Sequence, residues 1–383
     1  MQKLALIALA TILVGGLASG QMTIYVDAAA TPGGNGTVGS PFALIQDGID
    51  AAIDGDTVQV APGTYLESLD FLGKRIAVVG TGADITTIDG STLSAPVVTM
   101  DNGEGAGTFL KGFTITGGTG VNPNPSAPGA SSAAGGIYIS RGGIPTTPLT
   151  LDPVSICNCR ISGNNAGSGG GILLVGWTAD LVVSNCEISG NSATFAGTPG
   201  NGGGIEAAGI YLRVERTSIS GNSAALGGGI HCQGQGILEI VDCEISSNVA
   251  FHPSPAWAAN GGGLAGVAGK LTLSRTRISS NMAEGAYGGL GLFVSGSGAV
   301  IDRFFMEECE IVGNIAEFLA AGAVTAQGRI TSSTISANIS SSTGVAGATG
   351  FVFSPLTAAT LSIDNSIIRG NTIGDLAVFP SAS

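Results

Sequence analysis

Cys159-Arg160-Ile161-Ser162-Gly163-Asn164 is the phrase on which the reading of this chain turns. It returns as Cys186 to Asn191, Thr217 to Asn222, Cys243 to Asn248, Thr276 to Asn281 and Cys309 to Asn314. Two looser copies follow, Ser333 to Asn338 and Ser366 to Asn371. Successive asparagines are 27, 31, 26, 33, 33, 24 and 33 residues apart. A period near thirty with uneven spacing describes solenoid coils joined by loops of variable length.

Between the phrases lies a glycine run closed by an aliphatic residue, as in Gly169-Gly170-Gly171-Ile172, Gly202 to Ile205, Gly227 to Ile230 and Gly261 to Leu264. It decays to Gly288-Gly289-Leu290 and Ala321 to Val324. A third element alternates with period two: Leu181-Val183, Leu212-Val214, Leu238-Ile240 and Leu271-Leu273. Each coil therefore carries three short strands with no helical periodicity between them. One coil cannot enclose a core, but stacked coils can, about 4.7–4.9 Å apart. The expected fold is all-β, a right-handed parallel β-helix.

The columns of the repeat agree. Cys159, Cys186, Thr217, Cys243, Thr276, Cys309, Ser333 and Ser366 align as small residues suited to a narrow interior, and the column two places on is isoleucine in all eight copies. Asn164, Asn191, Asn222, Asn248, Asn281, Asn314, Asn338 and Asn371 form the third column. An amide can donate to the coil on one side and accept from the other, so these residues read as a structural ladder rather than as ligands.

The ends differ. Ser40-Pro41 reads as a helix start, with Phe42, Ile45, Ile49 and Ile53 at near-helical spacing until Asp54-Gly55, which is a short N-terminal capping helix. Thr57 to Val60 then begins the first coil. After Asn371 no capping helix is evident, which leaves a folded-over tail, a fragment, or coils that stack end to end on a partner. The expected organisation is a signal peptide over residues 1–20, cap and first coils over 21–107, repeats over 108–375 and a tail over 376–383.

Residues 1–20 place Lys3 before an apolar run and end in Ala18-Ser19-Gly20, the pattern of a secretory leader, so the expected location is secreted or at the cell surface. Net charge is −13, and removal of Lys3 with the leader makes it −14. That acidity argues against nucleic acid as a partner. The six cysteines read as mostly unpaired, buried thiols, four of them sharing one column. Cys157-Asn158-Cys159 lacks a second Cys pair or a His partner, so no metal site is expected there. No cofactor is expected; calcium stays open as an alternative that no motif indicates.

The stretch from Ser40-Pro41-Phe42 through Glu67 resembles the opening of pectin-lyase-like right-handed β-helix proteins, including pectin methylesterases. The glycine-run and Ile-x-x-Asn phrases resemble the repeats of polymorphic outer-membrane proteins as well. Together these resemblances span most of residues 40–375 and bear on fold far more than on activity. The polygalacturonase motifs Asn-Thr-Asp, Asp-Asp, Gly-His-Gly and Arg-Ile-Lys are absent, as is the Arg-x-Pro-x-x-Arg motif of calcium-dependent pectate lyases.

Surface charges alternate in sign between coils, with Arg216, Asp242, Arg275 and Glu308 before the small-residue column, and Arg160, Glu187, Glu244, Arg277 and Glu310 after it. These read as cross-strand ion pairs first and as substrate-binding arginines second. Glu206 and His231 share a register on adjacent coils and should point outward within hydrogen-bond reach. They are the only candidates for catalysis, and a surface ladder pair is the plainer reading.

Loops after the asparagine column carry Phe195, Phe251, His252, Trp257, Tyr287 and Phe318 along one edge. Aromatic rings beside hydroxyls and amides suit sugar rings, although they also serve to anchor loops. Two readings therefore stand. One is a structural and binding rod whose partner is a polysaccharide or cell-surface glycan. The other is a polysaccharide lyase or glycoside hydrolase. The first is preferred because catalytic motifs are missing while every fold motif is present.

Overall fold

A computed structural model describes residues 21–120, 134–141, 152–176, 178–195, 198–209, 211–234, 236–251, 260–294, 303–318, 320–324, 328–340, 351–353, 361–371 and 376–378. The leader segment 1–20, His252 and Trp257 lie outside the described residues. The chain is a right-handed parallel β-helix. Among the described residues its first sheet has 12 strands, from Thr23–Val26 to Leu361–Asp364. The second runs from Gly63–Tyr65 to Ile367–Arg369 and the third from Leu69–Asp70 to Leu376–Val378, with 11 strands each. A short fourth sheet begins at Asn165–Ala166 and ends at Ile339–Ser340.

One coil shows the path. Val154–Cys157 lies in the first sheet, Arg160–Ser162 in the second, Asn165–Ala166 in the fourth and Ile172–Val175 in the third, before Asp180–Ser184 returns to the first. The isoleucines of the phrase from Ile161 to Ile335 are buried in the second sheet. They meet Leu181, Val183, Leu212 and Val214 of the first sheet and Ile172, Leu174 and Ile205 of the third in one continuous core.

Corners explain the rest of the phrase. The residue before the small column is left-handed in every copy, from Asn158 at φ 54° through Arg216 at 46° to Asn365 at 48°. The residue before the asparagine is also left-handed, and is glycine in five copies. The first glycine of each run, such as Gly202 at φ 63°, turns a third corner, where Tyr287 takes the equivalent place at φ 65°. Glycine bears this backbone region without a Cβ penalty.

Two hydrogen-bond ladders run along the axis. From Asn164 to Asn338 each Nδ2 donates to the next asparagine's Oδ1 at 2.8–3.0 Å. That oxygen also accepts the main-chain N–H of the preceding asparagine, as when Asn222 accepts from Asn191 at 3.0 Å. The second Nδ2 hydrogen goes back to an isoleucine carbonyl, so Asn222 donates to Ile188 at 2.9 Å. The small column forms the other ladder. Cys186 N–H donates to Thr217 Oγ1 at 3.2 Å and Cys309 N–H to Ser333 Oγ at 3.1 Å. Each hydroxyl or thiol in turn donates to the carbonyl two residues back, for example Thr217 to Glu215 at 2.9 Å. Smallness alone therefore does not account for this column: it needs an atom that both donates and accepts. All six cysteines are free thiols.

The N-terminal cap differs in detail from its expected form. Its helix is Ile45–Ala51, three residues past the Pro41-Phe42 start. The Glu67 carboxylate accepts the N–H groups of Ile45 and Gln46 at 2.8 and 3.0 Å, satisfying donors that open the helix. Phe42 instead bridges Val26, and Ile53 is exposed beyond the helix end. The first coil also starts earlier than Thr57, because Thr23–Val26 pairs in parallel with Thr57–Val60.

Candidate functional site

Three regions carry polar or aromatic groups that the fold alone does not consume. The first is the outer face of the third sheet, where Tyr138, Leu173, Glu206, His231 and Ala265 stand in one register. Glu206 Oε2 lies 2.7 Å from His231 Nδ1, the proximity expected from their shared register. Both side chains are only 6% exposed, however, so the pair is covered rather than presented to solvent. Outward from the core does not mean outward to water, because the left-handed glycine corners bring backbone against this row. A Cβ on Gly227 would stand 2.7 Å from His231 Cβ. A polymer has no open path to this imidazole among the described residues.

The second region is the corner between the first and second sheets. Tyr211 Oη donates to Glu239 Oε2 at 2.9 Å, and Arg213 Nη1 bonds the same oxygen at 2.9 Å. Arg213 Nε also pairs with Glu215 at 3.0 Å, and Glu215 meets Arg216. Burial works against the Arg213 charge, but the two carboxylates hold its pKa above the usual arginine value. Burial likewise pushes the Glu215 carboxyl up, and the two arginines outweigh it, leaving it below its usual range. Burial and then Glu239 raise the Tyr211 phenol. Beside this network an open, nearly flat patch of surface carries Arg216, Ser218, Asp242, Glu244, Arg275 and Arg277. Arg275 clasps Asp242 through Nε–Oδ1 at 2.5 Å and Nη2–Oδ2 at 3.0 Å. Arg160 pairs with Glu187 at 3.1 Å and Arg277 with Glu310 at 2.6 Å.

Sequence reasoning singled out the two charged columns but passed over Tyr211, Arg213, Glu215 and Glu239. The signal was present in the period-two strands. Arg213 and Glu239 occupy the positions between Leu212 and Val214 and between Leu238 and Ile240, which must face outward if the aliphatic residues face in.

The third region is the edge formed by the fourth sheet. Val249, Met282, Ile315 and Ile339 stand in register as one row. Met282, Ile315 and Ile339 are between 40% and 49% exposed. Phe251, two residues beyond Val249, is 40% exposed. Exposed Glu284 and Glu317 follow Met282 and Ile315 at the same interval. The aromatic positions are not all loop positions. Phe195 ends the strand Ser192–Phe195, and Phe318 ends Ile315–Phe318. Tyr287 is a half-buried corner residue whose ring lies on Gly291, where a Cβ would stand 2.5 Å from Tyr287 Cδ2. Its ring therefore fills the space left by a missing side chain and is not offered at the edge.

Among the described residues no three His, Cys, Asp or Glu side chains converge as a metal-binding group, and no described helix is long and apolar enough to cross a membrane. No protein-family model matches the chain, and no curated protein sequence matches it. Solved structures do. The pectate lyase Pel9A is 14% identical, with 95% of this chain and 82% of that one covered at a TM-score of 0.53. An alginate lyase from Paenibacillus sp. str. FPU-7 is 14% identical, covering 94% of this chain and 99% of that one at 0.35. A pectin methylesterase from Aspergillus niger is 14% identical, covering 95% and 92% at 0.34. At such identities the likeness to Pel9A is one of fold, and by fold this chain is a pectate-lyase-like parallel β-helix.

Proposed function

We propose that the protein is a structural and binding rod outside the cytoplasm that takes polysaccharide along its fourth-sheet edge. The observation that carries this reading is the row in which exposed Met282, Ile315 and Ile339 continue half-buried Val249, with exposed Phe251 beside it. Apolar side chains suit the C–H face of a sugar ring, while Glu284 and Glu317 can accept hydrogen bonds from its hydroxyls. The acidic edge and the net charge of −13 favour a neutral glycan over a uronate polymer. The leader-like residues 1–20 support export.

Titration against a panel of neutral polysaccharides tests the reading. Phe251→Ala is expected to weaken binding to a responsive glycan by about 1–3 kcal/mol without unfolding the coils. Glu206→Gln, on the covered face, is expected to leave that binding unchanged. Equal affinity of wild type and Phe251→Ala would remove the edge from consideration.

A second reading, a polysaccharide lyase or glycoside hydrolase, is supported by the fold likeness to a pectate lyase and by the Tyr211–Glu239–Arg213 cluster. It expects new reducing or unsaturated ends from some polysaccharide, lost on Glu239→Gln. Turnover lost instead on His231→Ala would assign the chemistry to the covered pair.

A further inference from the structure

Arg216, Asp242, Arg275 and Glu308 occupy left-handed corners on four successive coils, at φ 46°, 55°, 45° and 53°. The same corner is asparagine in Asn158, Asn185 and Asn365, the residue that bears this backbone region most easily after glycine. Arginine and glutamate gain nothing there from the backbone. Their charges are confined to one block of coils, in the order plus, minus, plus, minus. The parallel row on the second sheet reads Ser218, Glu244, Arg277 and Glu310, or neutral, minus, plus, minus. All of these side chains are exposed except half-buried Ser218, and Glu244 and Glu308 form no ion pair with another described residue.

Reversal of this block gives its own complement. A two-fold axis crossing the rod between the Asp242 and Arg275 coils lays a second, antiparallel copy face to face. Each row then meets its own reverse. Arg216 falls opposite Glu308 of the other copy, Asp242 opposite Arg275, and Glu244 opposite Arg277. Each pair occurs twice, as the symmetry of an isologous interface requires. Glu310 falls opposite the small Ser218. The one like-charge meeting is Glu215 with Glu307 at the margin, where Glu215 is already held by Arg213 and Arg216. The eight positions carry three arginines and four acids, a net of −1 against −13 for the chain, so two copies meeting here bring little net repulsion.

We infer that this charged stripe is a self-association surface on which two copies pair antiparallel. The inference stands apart from the glycan-binding edge, which uses other residues on the far side of the second sheet.

Sedimentation velocity on the full chain at low and high salt tests it, since exposed charge pairs are screened by added ions. Wild type is expected to dimerise at low salt and to dissociate as salt rises. Asp242→Arg alone and Arg275→Asp alone each set like charges opposite one another twice, and each is expected to weaken dimerisation by at least about a hundredfold. Mixed in equal amounts, the two variants restore opposite charges at both places and are expected to form a heterodimer. The internal Asp242–Arg275 pair is broken in both variants, so recovery on mixing cannot come from within one chain. Asp364→Arg and Arg329→Asp make the same charge changes elsewhere on the rod and leave the stripe intact, so each is expected to dimerise as wild type does. A wild type that stays monomeric at low salt overturns the inference. So does a mixture that fails to recover, or a control variant that is weakened as much as Asp242→Arg and Arg275→Asp.

Discussion

Asn191 gives Asn222 two hydrogens at once: its Nδ2–H and its main-chain N–H both reach Asn222 Oδ1 at 3.0 Å. The Asn222 amide in turn holds Asn248 and Ile188. Replacing Asn222 with leucine strands two donors of Asn191 inside the rod and takes from Asn248 Oδ1 one of its two hydrogens, leaving it only the main-chain N–H of residue 222. The expected loss is on the order of 1–3 kcal/mol, read as a lower melting temperature. Unchanged melting would mean that water reaches those groups.

The glycine runs exist partly to make room for this ladder. A Cβ on Gly204 would stand 2.6 Å from the Gly229 carbonyl oxygen, 3.1 Å from Ile219 Cγ2 and 3.2 Å from Asn222 Nδ2. Gly204→Ala is expected to cost about 1–3 kcal/mol through overpacking. Gly190→Ala is the contrast: its φ is 62°, nothing lies within 4 Å of its new Cβ, and Ala337 already occupies that corner column. It should cost about 1 kcal/mol from backbone strain alone. Denaturant melts of the two variants check the ranking.

Thr276 tests the second ladder. Its Oγ1 accepts from Cys243 N–H at 3.3 Å and donates to the Ser274 carbonyl at 2.9 Å. Thr276→Val keeps the shape and removes the oxygen, with an expected cost of about 1–3 kcal/mol. Thr276→Ser keeps the chemistry found at Ser333 and should cost less. Equal stability of the two variants would reduce this column to a matter of size.

Burial pushes the thiols of Cys243 and Cys309 up to about 11, and those of Cys159 and Cys232 upward as well. A thiolate, not a thiol, attacks alkylating reagents. Iodoacetamide at neutral pH is therefore expected to label these positions slowly in the native rod and rapidly after unfolding. Mass spectrometry of protein that has not been reduced should find few or no disulfides.

Acid should act through Asp152. Burial pushes its carboxyl up, but the Ala106 amide and the Arg141 and Arg75 guanidinium groups outweigh this and hold it below its usual value. An unfolded aspartate titrates near about 3.9. The stabilisation is thus complete above that value and is lost as pH falls through the lower, folded one. Arg141→Met should be less stable at neutral pH and should lose less on acidification. Thermal melts across the acid range would show parallel curves if Asp152 were not the group responsible.

The solenoid was legible because each column repeats one physical requirement eight times, and a requirement stated that often survives the variable loops. Features written only once were harder. The strand Thr23–Val26 has no counterpart phrase, and the capping helix starts where Glu67, more than twenty residues on, supplies its acceptor. The Glu206–His231 contact followed from register, but its burial depends on what lies above the sheet, which periodicity does not encode. Tyr287 looked like a loop aromatic because its corner is glycine elsewhere, and only the fold reveals the column it joins.

The asparagine ladder also gives the rod a direction. Every amide hydrogen passed between rungs points from one coil to the next in chain order, and every rung oxygen points back. The two faces of any internal coil are therefore chemically unlike, one offering a pair of hydrogens and the other a single receptive oxygen. A coil laid down during synthesis leaves a donor template that only an oxygen at the right height can complete. A coil slipped by one residue would offer those hydrogens no oxygen, so the polarity of the ladder holds each turn to a single alignment on its neighbour.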